Sequence, residues 1–177
     1  MKSATPPFSD SVRRRIRLNV AVMTISDSRS THTDTSGDYL VQALSQADHQ
    51  LATRALVPSQ RWAIRKVLCD WIVDDNIDVI ITNGGTGYGP DKATVAAVAP
   101  MLDETITGFG ELFRQLSYHD VGSSSIQSDA TAGMANNTVI FCLPGSTGAC
   151  RLAWDEIIQP QLDSQKKPCN FATTLRP

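Results

Sequence analysis

The strongest constraint in this sequence is an alternation. Short apolar runs rich in β-branched residues each end in a loop rich in glycine, serine or proline, and a stretch of helical periodicity follows. Asp78-Val79-Ile80-Ile81-Thr82 leads straight into Asn83-Gly84-Gly85-Thr86-Gly87-Tyr88-Gly89-Pro90. Thr138 to Leu143 leads into Pro144-Gly145-Ser146-Thr147, and Arg17 to Ser26 leads into a polar loop ending near Thr33. A further run, Leu51 to Val57, stops at Pro58. Runs of this length and composition read as buried strands. Between them, apolar residues recur at helical spacing: Leu40, Ala43, Leu44 and Ala47; Ile64, Val67, Leu68, Trp71 and Ile72; Phe109, Leu112, Phe113 and Leu116; Leu152, Ala153, Ile157 and Ile158. Asp34, Thr35 or Ser36 is placed to cap the first helix, and Ser59 the second.

Strands alternating with amphipathic helices predict an α/β fold: a mostly parallel sheet with helices on both faces. In such sheets ligands bind beyond the carboxyl ends of the strands. The loops at 26–36, 83–91 and 144–147 all follow strands, so the topology predicts that they gather along one edge. The 177 residues suit one domain. We expect it to span 16–171, with a flexible tail at 1–15 and a C-terminal tail at 172–177.

Composition narrows the classes of function. The net charge of -2 gives no basic excess for a nucleic-acid surface. No apolar run reaches the roughly 18 residues of a membrane span, and no secretory leader is evident. The cysteines, Cys69, Cys142, Cys150 and Cys169, form no C-x-x-C pair or zinc spacing. Free thiols suit a reducing cytoplasm, with Cys69 and Cys142 read as core residues. His32, His49 and His119 show no ligand spacing and read as surface residues. Arg13, Arg14, Arg15 and Arg17 read as a solvated lead into the first strand.

Gly84, Gly85 and Gly87 leave backbone N–H groups unshielded, as a phosphate cradle requires, although the segment is neither a Walker A loop nor a dinucleotide fingerprint. Taken alone it also reads as a tight turn. Pro144-Gly145-Ser146 repeats the theme at a helix start, where free N–H donors face outward. Asp27, Asp34 and Asp91 lie in the same loops. A carboxylate beside a phosphate calls for a cation such as Mg²⁺, while Asp34 also reads as a helix cap and Asp27 as a turn former.

These segments resemble a known family. Ile25-Ser26-Asp27-Ser28, Asp34-Thr35-Ser36-Gly37, Thr82-Asn83-Gly84-Gly85-Thr86-Gly87, Gly108-Phe109-Gly110-Glu111 and Leu143-Pro144-Gly145-Ser146 occur in the order of the molybdopterin-binding (MogA/MoaB) domain. Ala149-Cys150-Arg151 through Pro168-Cys169-Asn170-Phe171 resembles the MoaB branch. The resemblance implies a three-layer α/β/α domain, assembled as a homotrimer or homohexamer. Trp154, Ile157 and Ile158 add an apolar stretch near the C-terminus that fits either an interface or the core. It further implies molybdopterin as ligand or substrate, with Mg²⁺ and ATP where adenylyl transfer occurs. Carried over by position, Gly84, Gly85, Thr86 and Gly87 would hold nucleotide phosphates. Ser26, Asp27, Asp34, Ser36, Gly37, Ser128, Pro144, Gly145 and Ser146 would line the pterin-phosphate side. Asp91 would be the catalytic and Mg²⁺-placing carboxylate. Several charged positions of active relatives are altered. Ser59 stands where an acidic residue follows the proline, Val95 and Ala96 follow Thr94 without a glutamate, Asp129 replaces an arginine, and Gly148 a lysine. Such losses predict retained binding with weakened adenylyl transfer, the alternative being a non-enzymatic pterin- or nucleotide-binding protein that has kept the fold and lost catalysis.

Overall fold

The computed structural model describes residues 15–89 and 92–177. A six-stranded sheet runs through it in the order β2-β1-β3-β6-β5-β4. Its strands are β1 (Asn19–Ile25), β2 (Gln50–Val57), β3 (Val79–Asn83), β4 (Glu104–Thr105), β5 (Thr131–Ala135) and β6 (Thr138–Leu143). β2, β1, β3 and β6 are mutually parallel, whereas β5 and β4 continue the sheet antiparallel. The helices are α1 (Thr35–Gln46), α2 (Arg61–Ile72), α3 (Thr94–Val98), α4 (Thr107–Val121), α5 (Thr147–Ala153), α6 (Gln159–Leu162) and α7 (Phe171–Leu175). A π turn, Trp154–Ile158, joins α5 to α6.

The period of two along each central strand sorts the core into two layers. Val20, Val22, Val79, Ile81, Val139, Phe141 and Leu143 face one way and pack against α1, α4, α5 and the C-terminal helices. Ala21, Met23, Ile25, Ile80, Ile140 and Cys142 face the other and meet α2 and α3. This is the mostly parallel three-layer arrangement that the alternation predicts. Leu40, Ala43 and Leu44 of α1, and Ile64, Leu68, Trp71 and Ile72 of α2, are buried as their spacing requires. Leu112 of α4 departs from its stripe and lies exposed.

Several sequence readings are corrected. The sequence pattern does not mark the antiparallel hairpin β5–β6, since Thr131 is the one β-branched residue in Thr-Ala-Gly-Met-Ala. Asn136 and Asn137 turn it, both at positive φ (46° and 63°), the pattern of a type I′ turn. Gly133 is small because a Cβ there would lie 2.6 Å from the Glu104 carbonyl oxygen of β4. The segment 172–177 is no loose tail: Ala172 and Leu175 reach the core, and Arg176 pairs with Asp78 at 2.7 Å. Trp154, Ile157 and Ile158 are covered within the chain. Cys69 is exposed, because it falls on the outer side of α2. Ser59 does not cap α2; Gln60 occupies that position without a side-chain cap bond. Arg15 lies 3.6 Å from Asp163, and Arg13 and Arg14 fall outside the described residues. No helix among the described residues is long and apolar enough to cross a membrane.

His49 is buried, not on the surface, because its Nδ1 accepts the backbone N–H of Leu18 at 3.3 Å just ahead of β1. Burial holds the imidazole below its usual value of 6.5, against the opposing pull of Asp48 and Asp163. The folded chain therefore binds this proton less readily than the unfolded chain. Its contribution is complete above 6.5 and is lost as pH falls through that value toward the lower folded one. Calorimetry should show the melting temperature dropping between about pH 7.5 and about pH 5.5. His49→Gln keeps an acceptor without the titration and should flatten that slope. An unchanged slope would remove His49 as its source.

Candidate functional site

The loops after β1, β3 and β6 meet at one end of the sheet. Gly84, just after β3, has φ 92°, and a Cβ there would collide with the Ile25 carbonyl oxygen at the end of β1. Gly145, after β6, sits so close that its own Cβ would lie 3.1 Å from the Gly84 Cα. The Gly84 N–H donates to the Leu143 carbonyl at 3.0 Å. The start of α3 fixes the glycine loop from below: Thr94 Oγ1 donates to the Gly84 carbonyl at 2.7 Å, and the Ala93 and Thr94 amides donate to the Gly85 carbonyl, each at 3.1 Å.

Above this junction lies a cleft of ≈ 600 Å³. Seven of the expected residues line it: Ser26, Asp27, Gly84, Gly85, Thr86, Gly145 and Ser146. Ser146 also caps α5, accepting the Ala149 amide at 3.2 Å. The cleft wall includes residues that the sequence reading did not place there, among them Arg29, Asn83 and Lys92. Lys92 is an exposed cation on the glycine-loop side, 5.5 Å from the Tyr88 ring centroid. Asp27 is exposed, and its Oδ1 accepts the Ser59 amide at 3.0 Å, so Ser59 lines the cleft beside a carboxylate.

Other expected residues lie next to the cleft without lining it. Asp34 is buried and fully engaged. It accepts from Thr24 Oγ1 at 2.7 Å, Arg54 Nη2 at 2.7 Å, Arg29 Nη1 at 3.3 Å and the Gly37 amide at 3.0 Å. Burial works to raise its pKa, but the bonds from Thr24, Arg54 and Gly37 prevail and hold the carboxyl below its usual 3.8. A carboxylate so occupied joins β1, β2 and the start of α1. Gly37 is small because a Cβ there would strike the Asp34 carboxylate. Ser36 Oγ donates to the Gly145 carbonyl at 2.7 Å and accepts from Arg29 Nη1 at 2.6 Å. The Pro144 carbonyl accepts from the Cys150 thiol, and Gly87 packs toward Gln127. Ser128 is away from the cleft wall, with its buried Oγ unpartnered among the described residues. Asp91 lies outside the described residues.

Across the glycine loop, a smaller hollow of ≈ 290 Å³ shares Gly85 and Lys92 with the cleft and includes Asp129. Burial raises the Asp129 carboxyl above its usual 3.8, while Arg114 and Lys92 oppose that rise. No trio of His, Cys, Asp or Glu side chains forms a ready metal cage among the described residues. Mg²⁺ does not need one, because it is commonly held by one or two carboxylates together with substrate phosphates and water. Asp27, exposed on the cleft wall, suits that mode.

A family model described as a probable molybdopterin binding domain matches residues 21–164. The chain is 44% identical over 161 residues to the molybdenum cofactor biosynthesis protein B of Escherichia coli K12, covering 91% of this chain and 95% of that protein. It is 39% identical over 142 residues to the protein of the same name in Bacillus subtilis, covering 80% and 84% respectively. Among solved structures, a molybdenum cofactor biosynthesis protein B superposes with a TM-score of 0.80 at 39% identity, over 82% of this chain and 91% of that one. The tungsten cofactor synthesizing protein MoaB of Pyrococcus furiosus superposes with a TM-score of 0.74 at 30% identity, over 82% and 92%.

The Asp34 cluster generates a stability prediction. Asp34→Asn keeps the helix cap, since Asn caps as well as Asp, but leaves Arg29 without its carboxylate partner and Arg54 with Asp38 alone among the described residues. Both arginine side chains are more than a quarter exposed, so the loss should be about 2 kcal/mol, below that of a fully buried pair. The depressed carboxyl pKa makes this contribution complete above 3.8 and lost as pH falls through the folded value. Urea denaturation near neutral pH measures it. A midpoint equal to wild type would contradict the structural role given to Asp34.

Proposed function

The chain belongs to the molybdopterin-binding family, in its MoaB branch, and from that premise we propose that the strand-end cleft binds the phosphate-bearing pterin molybdopterin together with a magnesium nucleotide. The observation that carries this reading is the contact between the glycine loop and the Pro144-Gly145-Ser146 turn. Two stretches of open backbone face one cavity, with Arg29 and Lys92 on its wall. A single tight turn needs no such arrangement, whereas a ligand with several phosphate oxygens does.

Asp27 would hold Mg²⁺ on the β1 side, and the family resemblance adds Asp91 as a second carboxylate. The ion would neutralise phosphate charge that these carboxylates otherwise repel. The chain's own groups bind and orient the two ligands, placing the pterin phosphate near the nucleotide. Adenylyl transfer on this scaffold would be weak or absent, because Ser59, Gly148 and Asp129 stand where charged ligands to the metal or the phosphates are expected. Asp129 opposes the Lys92 charge instead of adding to it.

Calorimetric titration with molybdopterin and with ATP, with and without Mg²⁺, tests the reading. Both should bind the wild-type protein, and ATP should bind more tightly with Mg²⁺. Ser59→Asp places a second carboxylate beside Asp27 and should strengthen Mg²⁺-dependent ATP binding severalfold, with little change in stability at this partly exposed position. No gain in that variant would reject the metal position, and no binding of either ligand would reject the cleft.

A further inference from the structure

Arg29 was not among the residues singled out by sequence, yet it joins the loop after β1, the start of α1 and the turn after β6. Its side chain crosses from the β1 loop to the turn after β6. Nη1 donates to Asp34 Oδ1 and to Ser36 Oγ, and Nη2 donates to the Gly145 carbonyl at 2.9 Å. A guanidinium has five N–H donors in a rigid plane. These bonds use three. The Nε donor and one N–H of Nη2 have no partner among the described residues, while the side chain is 28% exposed and forms part of the cleft wall.

We propose that Arg29 is a phosphate-contacting residue of this cleft, its plane fixed by Asp34, Ser36 and Gly145 so that its remaining donors meet an anionic oxygen. The assignment rests on the cleft being the ligand site. It adds the residue that recognises the anion on the pterin-phosphate side, opposite Lys92 on the glycine-loop side. A guanidinium fits this double task and an ammonium does not. Lysine carries the charge but lacks the fork needed to hold Ser36 and Gly145 while donating elsewhere. Asp34 lies closer to Arg54, at 2.7 Å, than to Arg29, at 3.3 Å, and the set of two arginines with Asp34 and Asp38 is neutral, so the contact rests on the N–H donors that Arg29 has left over.

The test titrates inorganic pyrophosphate into the full chain without Mg²⁺, comparing wild type, Arg29→Lys and Arg29→Gln, with Ser36→Ala as the variant that disturbs only the clasp. Wild type should bind. Arg29→Gln should lose at least about tenfold, Arg29→Lys should recover part of that loss through its charge, and Ser36→Ala should lose less than Arg29→Gln. A second readout needs no loss of function. The ¹⁵Nε–¹H resonance of Arg29 in the wild-type protein, assigned by its absence in Arg29→Lys, should move on adding pyrophosphate. Should Arg29→Gln fail to fold, that resonance decides the matter. Pyrophosphate binding that leaves the Arg29 signal unmoved, or that is undiminished in a folded Arg29→Gln protein, overturns the assignment of Arg29 alone. Absence of pyrophosphate binding by wild type overturns the cleft reading and this proposal with it.

Discussion

Asp34 ties the loops at one end of the parallel sheet to each other. Its carboxylate accepts from Thr24 at the end of β1 and from Arg54 of β2, and Thr24 Oγ1 in turn accepts from Asn83 Nδ2 at the end of β3. Through Arg29 and Ser36 the same cluster grips the Gly145 carbonyl beyond β6. All four parallel strands thus meet in one hydrogen-bonded set. A buried carboxylate without partners would be strongly destabilising, so the charge makes sense only with its arginines in place. The cleft inherits its shape from that requirement.

The division of labour among the loop residues follows. Groups that are buried and fully bonded, such as Asp34 and Ser36, set positions. Groups with free valence on the cleft wall, such as Arg29, Lys92 and Asp27, are available to ligands. The glycines serve approach: at Gly84 and Gly145 any side chain would push apart two loops that have to touch. Placing open amides and a clamped guanidinium around a preformed cavity lowers the cost of ordering a multiply charged ligand.

Much of this was legible in the sequence because strand and helix periodicities are local. The order of strands and helices implied that the three loops share an edge, and the cleft contains residues from each. What escaped was non-local or masked by composition. Arg29 is 116 residues from Gly145, and no spacing rule pairs them. His49 is polar yet buried because it serves one amide near β1, a role no pattern announces. β5 was missed because the close passage of β4 demands a bare Gly133 where a strand would ordinarily show bulk; the Asn136-Asn137 turn was the one available signal. The motif marks Ser36 and Asp34 without showing that they also bond the loops to one another.

The central claim is that the glycine loop and the turn after β6 act as one anion site. Backbone amide resonances followed during a titration with a phosphorylated pterin, and separately with ATP, test it most directly. The account predicts that the Gly85, Thr86, Gly145 and Ser146 amides shift together along a single binding curve with at least one of these ligands. Shifts confined to one of the two loops, or centred on residues outside the cleft, would contradict it.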